Sequence, residues 1–333
     1  MDSKAERKRR TGQLTPVPQG EGGYDECWYP VAMSSELGPN EVLGRELFDG
    51  RVVIFRTSSG EASVVSAYCR HMGADLSDGK VVDDCLRCPF HHWSFDTSGT
   101  CVKTAVGDSV PPANSLFKFP TVEKWGLIWA FNGTEATYDV PGWPEAEADR
   151  HFSVIVVADH VGGAPWLVGM NTIDVQHLRS LHGVESTEVE LVESGRVLHE
   201  GLQSLSMEIT IGAPGSRMEK FTRHAEYVGT NTVVYSKSTT GVDTMVSVLP
   251  YGDKCRHYVV TAGRRADIPA DQIKAAVAER EKSSYEVVQE DLPIFEKIHF
   301  VADTLTKSDK PIATYLRWVN RFPRSHPSAP YIR

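Results

Sequence analysis

Short runs with strand character fill the first 140 residues. Arg51-Val52-Val53-Ile54-Phe55 and Ala62-Ser63-Val64-Val65-Ser66-Ala67 are rich in β-branched residues and flank Thr57-Ser58-Ser59-Gly60, a pattern that predicts a hairpin. Phe95 to Thr100 predicts a turn, and Gly126-Leu127-Ile128-Trp129-Ala130-Phe131 a further strand. Pro141-Gly142-Trp143-Pro144 then interrupts any regular element and marks a boundary. Beyond it, Leu205 to Ile211 alternates apolar and polar positions, and Asn231–Ser236, Thr244–Leu249 and Arg256–Ala262 repeat the strand signal. A helical pattern follows from Ala270 to about Ala302, expected to break near Pro293, with a later piece at Ile312–Asn320. Strands in succession followed by helices predict an α+β protein. The expected partition is a tail over residues 1–27, an all-β module over 28–140, and a second domain over 141–333 with an antiparallel sheet and C-terminal helices.

The chemistry sits on two short stretches of this frame. Cys69-Arg70-His71 and Cys88-Pro89-Phe90-His91 each offer one thiolate and one imidazole, with sixteen residues between His71 and Cys88. Two such loop tips facing each other can hold a [2Fe-2S] cluster, the cysteines on one iron and the histidines on the other, which is the Rieske arrangement. Neutral imidazoles in place of two thiolates raise the potential to roughly −150 to +300 mV, suited to an electron relay. The same four residues also make a zinc set, although each loop here mixes one Cys with one His.

The second stretch runs from Asn171 to Gly183 and contains N-x2-D-x2-H-x4-H, with Asn171, Asp174, His177 and His182 at its fixed positions. Five residues at ~100° each put His177 and His182 about 140° apart on a regular helix. One metal reaches both only if the helix loosens or ends there, and Gly183 is a plausible terminator. Read by themselves, the two histidines could equally be unrelated residues of an amphipathic helix.

Together these stretches resemble the oxygenase components of Rieske non-haem iron systems. Arg70 and His92 stand where the family's loops often carry proline and glycine, and neither is a ligand position. The resemblance implies that Cys69, His71, Cys88 and His91 bind the cluster, with His92 near it. It also implies that His177 and His182 bind a mononuclear Fe(II) whose third ligand is a carboxylate about a hundred residues downstream. In Tyr285–Phe295 the acids are separated by spacing: Asp291 shares a helical stripe with Val287, Ile294 and Ile298, while Glu286 and Glu290 lie on a stripe that reads as solvated. Asp291 is the expected ligand and Glu290 the alternative; Asp291 could also simply cap a helical turn before Pro293. By resemblance Asp174 bridges the mononuclear site and a neighbouring subunit's cluster, Asn171 supports the same shell, and the assembly is a homotrimer.

The length, the entry Cys27 to Ala32 and the segment Pro311–Trp318 resemble most the branch of 3-ketosteroid 9α-hydroxylases and cholesterol 7-desaturases, although vanillate-type O-demethylases share the metal motifs. The implied reaction uses O2 and electrons from NAD(P)H, delivered by a flavin reductase and/or a ferredoxin, to hydroxylate an apolar, steroid-like substrate. Demethylation or desaturation is the alternative with the same iron chemistry. A non-catalytic Rieske electron carrier is the rival class, and it leaves everything after the module without a task.

Composition narrows the setting. A net charge of −9 argues against nucleic acid as the partner. Met1–Arg10 carries five basic residues with no apolar stretch behind them, unlike a signal peptide. The longest apolar run, around Phe152–Ala158, is far short of the ~20 residues a membrane helix requires. With Cys27, Cys85, Cys101 and Cys255 scattered, a reducing cytoplasm is expected.

Overall fold

The computed structural model describes residues 14–111, 114–162, 164–186, 190–200, 203–210, 216–301 and 304–333. The basic stretch Met1–Arg10, and the expected ends at Ile211 and Ala302, lie outside them. Among the described residues the chain forms two compact units. The first holds residues 22–140, 249–253 and 324–333; the second holds 14–21, 141–248 and 254–323. Compared with the expected boundary at 140/141, the first unit therefore takes in two further pieces of chain.

The strands of the first unit are β1 (Tyr24–Asp25), β2 (Trp28–Met33), β3 (Val42–Leu47), β4 (Gly50–Arg56), β5 (Ala62–Ser66), β6 (Lys80–Val82), β7 (Cys85–Arg87), β8 (Ser94–Phe95), β9 (Cys101–Lys103), β10 (Thr121–Lys124) and β11 (Leu127–Phe131). The predicted hairpin is the β4/β5 pair, set in a three-stranded β3-β4-β5 sheet. A second sheet runs β10-β11-β2 and a third β6-β7-β8-β9. Val53, Phe55, Val65, Leu76, Leu86 and Phe95 form a buried core continuous with Cys69 and Cys88, so the cluster loops spring from strands whose inner faces are locked. The C-terminal segment closes this unit: Tyr24 and Asp25 pair with Ser325 and Arg324, and the Asn132 amide donates to the carbonyls of Tyr24 and Ser325.

The second unit is built on β12 (Arg150–Val161), β13 (Val184–Ser186), β14 (Leu191–Ser194), β15 (Val197–Glu200), β16 (Gln203–Thr210), β17 (Ser216–Val228), β18 (Thr232–Ser236), β19 (Val242–Tyr251) and β20 (Lys254–Arg264). They form one nine-stranded sheet among the described residues, in the order β12-β20-β19-β18-β17-β15-β14, with β16 on β17 and β13 on β16. Helices α1 (Pro165–Ile173) and α2 (Val175–His182) follow β12, and α3 (Ile273–Phe295) and α4 (Lys310–Arg321) follow the sheet. Val288 and Leu292 of α3 pack on Val157, Ala158 and Val259, and the Gln289 amide donates to the Val157 carbonyl at 2.7 Å. That contact fixes how α3 lies on β12 and β20.

Two helical details differ from expectation. Pro293 sits inside α3 rather than breaking it, and the helix ends two residues later at Phe295. The inward face of α3 is also rotated: Val277, Asp291 and Phe295 are buried, whereas Val287, Ile294 and Ile298 are exposed. Asp291 is an inward acid, but its apolar companions are Val288 and Leu292 rather than the predicted stripe. The sheet under α3 selects the buried face, and the α3 sequence contains apolar residues on more than one side.

Candidate metal centres

The two loops of the first unit close in the same way. The amide of Cys69 donates to the Ala74 carbonyl at 2.9 Å, and that of Cys88 to the Trp93 carbonyl at 2.8 Å, each five residues on. Each loop turns through a left-handed residue just before its closure, Gly73 at φ +77° and His92 at φ +55°. His92 thus occupies a backbone position that favours glycine, and its side chain is exposed.

Within these loops the four expected ligands separate by type. Cys69 and Cys88 are buried, at 3% and 2% exposure, while His71 is exposed and His91 half-buried. The imidazoles face each other with ring centroids 4.7 Å apart, and Trp93 stacks flat on His71 at 4.3 Å. Arg70 lies over the ring of Tyr331 at 4.9 Å, so the C-terminal segment braces the first cluster loop.

Burial pushes the Cys69 thiol up to about 12; backbone hydrogen bonds from His71 and Met72 oppose that rise, and the neighbouring Cys88 adds to it. Two adjacent buried sulfurs do not ionise unaided, whereas iron supplies the compensating positive charge. Amides directed at the sulfur are the hydrogen bonds that tune an iron–sulfur centre. Inner sulfurs and outer imidazoles fit a cluster held by two unlike pairs.

In the second unit α1, α2 and α3 build the other centre. Asp174 ends α1 and begins α2: its Oδ1 accepts from the amides of Gln176 and His177 at 2.9 and 3.0 Å. Helix α2 stops at Gly183, in the left-handed conformation at φ 64°, so His182 lies on the last helical residue. The rings of His177 and His182 stand 4.7 Å apart at 86°. Asp291 of α3 meets both: its Oδ1 lies 3.3 Å from His177 Nε2 and 3.1 Å from His182 Nε2. Donor atoms of the three residues fall within 4.8 Å of one another, within a few tenths of an ångström of the span available around one ion with ligands about 2.1 Å away.

Asn171 touches two of the three. Its Nδ2 donates to His177 Nε2 at 2.8 Å and to Asp291 Oδ2 at 3.0 Å. His177 Nε2 is then an acceptor facing the acceptor Asp291 Oδ1, an arrangement that a cation between them relieves. Burial lowers the His177 pKa and so favours the neutral ring; a metal at Nε2 would take over the lone pair that here accepts from Asn171. The hydrogen bond that His182 donates to Asp291 raises the His182 pKa, opposed by burial and helped by Glu290. His182 Nδ1 donates to Glu290 Oε2 at 2.8 Å, which turns Nε2 toward the centre. Two imidazoles and one carboxylate suit a non-haem ferrous ion with open positions.

The sequence assigned Glu290 only as an alternative ligand, and its place against the outer nitrogen of His182 was not visible there. Asp174 sits at the N-terminus of α2 as its cap, a place in the fold additional to the bridging role that the family resemblance implies for its carboxylate. Also missed were the stacking of Trp93 on His71 and a third cluster, His199, His224 and Glu226. The alternation His224-x-Glu226 would have marked one face of a strand, but the pairing of β15 with β17 was needed to add His199.

Residues 27–118 match the family model described as the Rieske [2Fe-2S] domain. The chain is 28% identical over 352 aligned residues to a cholesterol 7-desaturase of Bombyx mori, covering 97% of this chain and 74% of that one. It is 30% identical over 204 residues to the oxygenase component of dicamba O-demethylase from Stenotrophomonas maltophilia, a match spanning 60% of each chain. A crystal structure of dicamba monooxygenase bound to dicamba superposes with a TM-score of 0.64 at 18% identity, over 89% of this chain and 97% of the other.

Proposed function

For a chain that is a Rieske non-haem iron oxygenase component in domain content, fold and relatives, we propose that the two centres are divided between electron relay and oxygenation. Cys69, His71, Cys88 and His91 hold the [2Fe-2S] cluster, and His177, His182 and Asp291 hold Fe(II). The observation that carries this reading is the convergence of two histidines from α2 and a buried carboxylate from α3 on one point, with Asn171 bonded to two of them. When bound, the ferrous ion supplies reductive activation of O2, and the cluster supplies electrons one at a time.

The protein's own residues set the geometry. Asn171 holds the second Asp291 oxygen and lies against the His177 ring, and Glu290 fixes His182 through its outer nitrogen, the support a metal-binding imidazole takes. Asp174 holds the start of α2 and with it the register of both histidines. One helical turn from Asn171 on α1 and from Asp291 on α3, Ala164, Leu167, Val168, Phe295, Cys255, His160 and His257 line a narrow crevice too tight to admit a water molecule. Its walls are mostly apolar; His160 and His257, joined Nε2 to Nε2 at 3.0 Å, are the polar groups.

The substrate reading is hydroxylation of an apolar, steroid-like molecule, with electrons from NAD(P)H through a flavin reductase and/or a ferredoxin. Desaturation and O- or N-demethylation are the alternatives at the same residues, in line with a desaturase of Bombyx mori and an O-demethylase of Stenotrophomonas maltophilia among the relatives. In this reading the protein works in the cytoplasm as a homotrimer, with Asp174 at the junction between one subunit's iron and its neighbour's cluster. No described helix is long and apolar enough to cross a membrane.

The test is O2 and NADH consumption with a partner reductase over steroid, aromatic-ether and alkaloid panels, with products identified, alongside iron quantification. His177→Ala and Asp291→Ala are expected to lose the mononuclear iron and turnover while keeping the Rieske spectrum. Full activity in both variants would overturn the ligand assignment, and a protein binding only the cluster would be an electron carrier.

A further inference from the structure

The second unit carries a second group of metal-ligating side chains that the oxygenation chemistry does not use. His199 on β15 is paired directly across from Glu226 on β17, and His224 lies two residues before Glu226 on the same strand. Alternation along a strand therefore puts all three on one face of the sheet. Tyr227 points the other way: its hydroxyl meets Thr172 of α1 at 2.9 Å and Glu200 at 3.1 Å. The group is thus locally across the sheet from the helix that carries Asn171.

The distances do not describe good hydrogen bonds. Glu226 Oε1 stands 3.3 Å from His199 Nδ1 and 3.9 Å from His224 Nδ1, and Ser236 Oγ lies 3.5 Å from His224 Nδ1. Ordinary N–H···O bonds lie at 2.7–3.2 Å. Three donor atoms, one per residue, lie within 4.8 Å of one another, so a small inward turn of the side chains brings them to a shared ion about 2.1 Å from each. The side chains are 17–37% exposed, which leaves a path for an ion and room for water as a further ligand.

We propose that His199, His224 and Glu226 bind one divalent transition ion of the zinc class and pin β15 to β17. Two imidazoles and a carboxylate favour zinc over calcium or magnesium, which take oxygen donors. Lys237 bears on His224 as a like charge, so the Glu226 carboxylate is the group that makes a cation acceptable there. The position gives the ion a mechanical role. Strand β17 pairs with β16 as far as Arg223 and with β15 from Glu226 onward, so it changes neighbours at His224. Among the described residues three pairs hold β15 to β17, and the ion would clamp the end of that short ladder.

The experiment uses the full-length, iron-replete protein in metal-free buffer. Zinc is titrated in and counted by elemental analysis after desalting, cobalt serves as a visible-absorption probe, and thermal unfolding is followed with and without zinc. One zinc per chain beyond the iron complement is expected, with a rise in Tm. Single replacements His199→Ala, His224→Ala and the conservative Glu226→Gln should each weaken binding more than tenfold and abolish the Tm rise. His177→Ala should keep both effects. Retention of the mononuclear iron, whose expected ligands lie in the same unit, shows that each variant is folded there. Absence of extra zinc in the parent protein overturns the proposal, as does binding that survives Glu226→Gln or disappears in His177→Ala, which would assign the ion to the ferrous centre.

Discussion

Replacing Gly169 by alanine tests whether the seating of α1 sets the mononuclear centre. A Cβ at this position would stand 2.6 Å from Cζ and 3.1 Å from Cε2 of Tyr315 on α4, with the hydroxyl oxygen closer still. Carbon pairs rest at about 3.5–4.0 Å, so α1 or the ring must yield by about 1 Å. Tyr315 has little freedom: it is 1% exposed and packed against Tyr227 and Trp318. The helix is the part that moves. Asn171 lies two residues on, and its 2.8 and 3.0 Å bonds to His177 and Asp291 do not survive a shift of that size as good hydrogen bonds. Overpacking costs about 1–3 kcal/mol, and alanine recovers about 1 kcal/mol of helix propensity relative to glycine. The net stability loss is therefore at most about 2 kcal/mol, while ferrous affinity falls roughly 10–100-fold through the displaced support. The assay is Fe(II) binding by competition with a chelator, beside thermal unfolding and the Rieske absorption. Adding Tyr315→Leu should restore part of the iron affinity. Wild-type iron binding in Gly169→Ala would refute the argument that α1 positions the site.

Three further outcomes follow from other parts of the molecule. Asp174→Ala removes the α2 cap and should lower stability by about 1 kcal/mol, whereas Asp174→Asn keeps a capping oxygen and the iron; if the carboxylate links subunits, Asn loses turnover alone, measured as coupled NADH oxidation. Burial, and then the neighbouring His160, lowers the His257 pKa to about 3. The unfolded chain takes up that proton first as pH falls below about 6.5, so stability is lost on acidification. From pH 6.5 to 5 the loss is at most roughly 2 kcal/mol, and urea denaturation of His257→Gln should show a flatter acid limb. His92→Gly relieves the left-handed backbone at the second cluster loop and should stabilise the protein by up to about 1 kcal/mol without shifting the Rieske absorption; destabilisation would show that the exposed imidazole contributes a contact.

How far the sequence reached depended on whether a feature was local. Cys69-Arg70-His71 and Cys88-Pro89-Phe90-His91 carry their chemistry within a few residues, and the loop closures that support them are equally local. The helix stop at Gly183 was legible for the same reason, because a left-handed terminus is a property of one residue. Asp291 was reached by stripe reasoning whose stated neighbours prove exposed; the surface that buries one face of α3 belongs to β12 and β20, more than a hundred residues away in the chain.

The sequence by itself determined the donor types, their spacing within each loop, and the succession of strands and helices, since these follow from side-chain chemistry and backbone preference over a few residues. Tertiary structure alone decided which donors meet. It brought Asp291 and Glu290 to opposite nitrogens of His182, set His199 across from Glu226, stacked Trp93 on His71, and returned Arg324–Arg333 to the unit that begins at Gly22. Each of these depends on strand register or helix rotation between distant segments, which is fixed by the packing of whole faces and is written in no single stretch of chain.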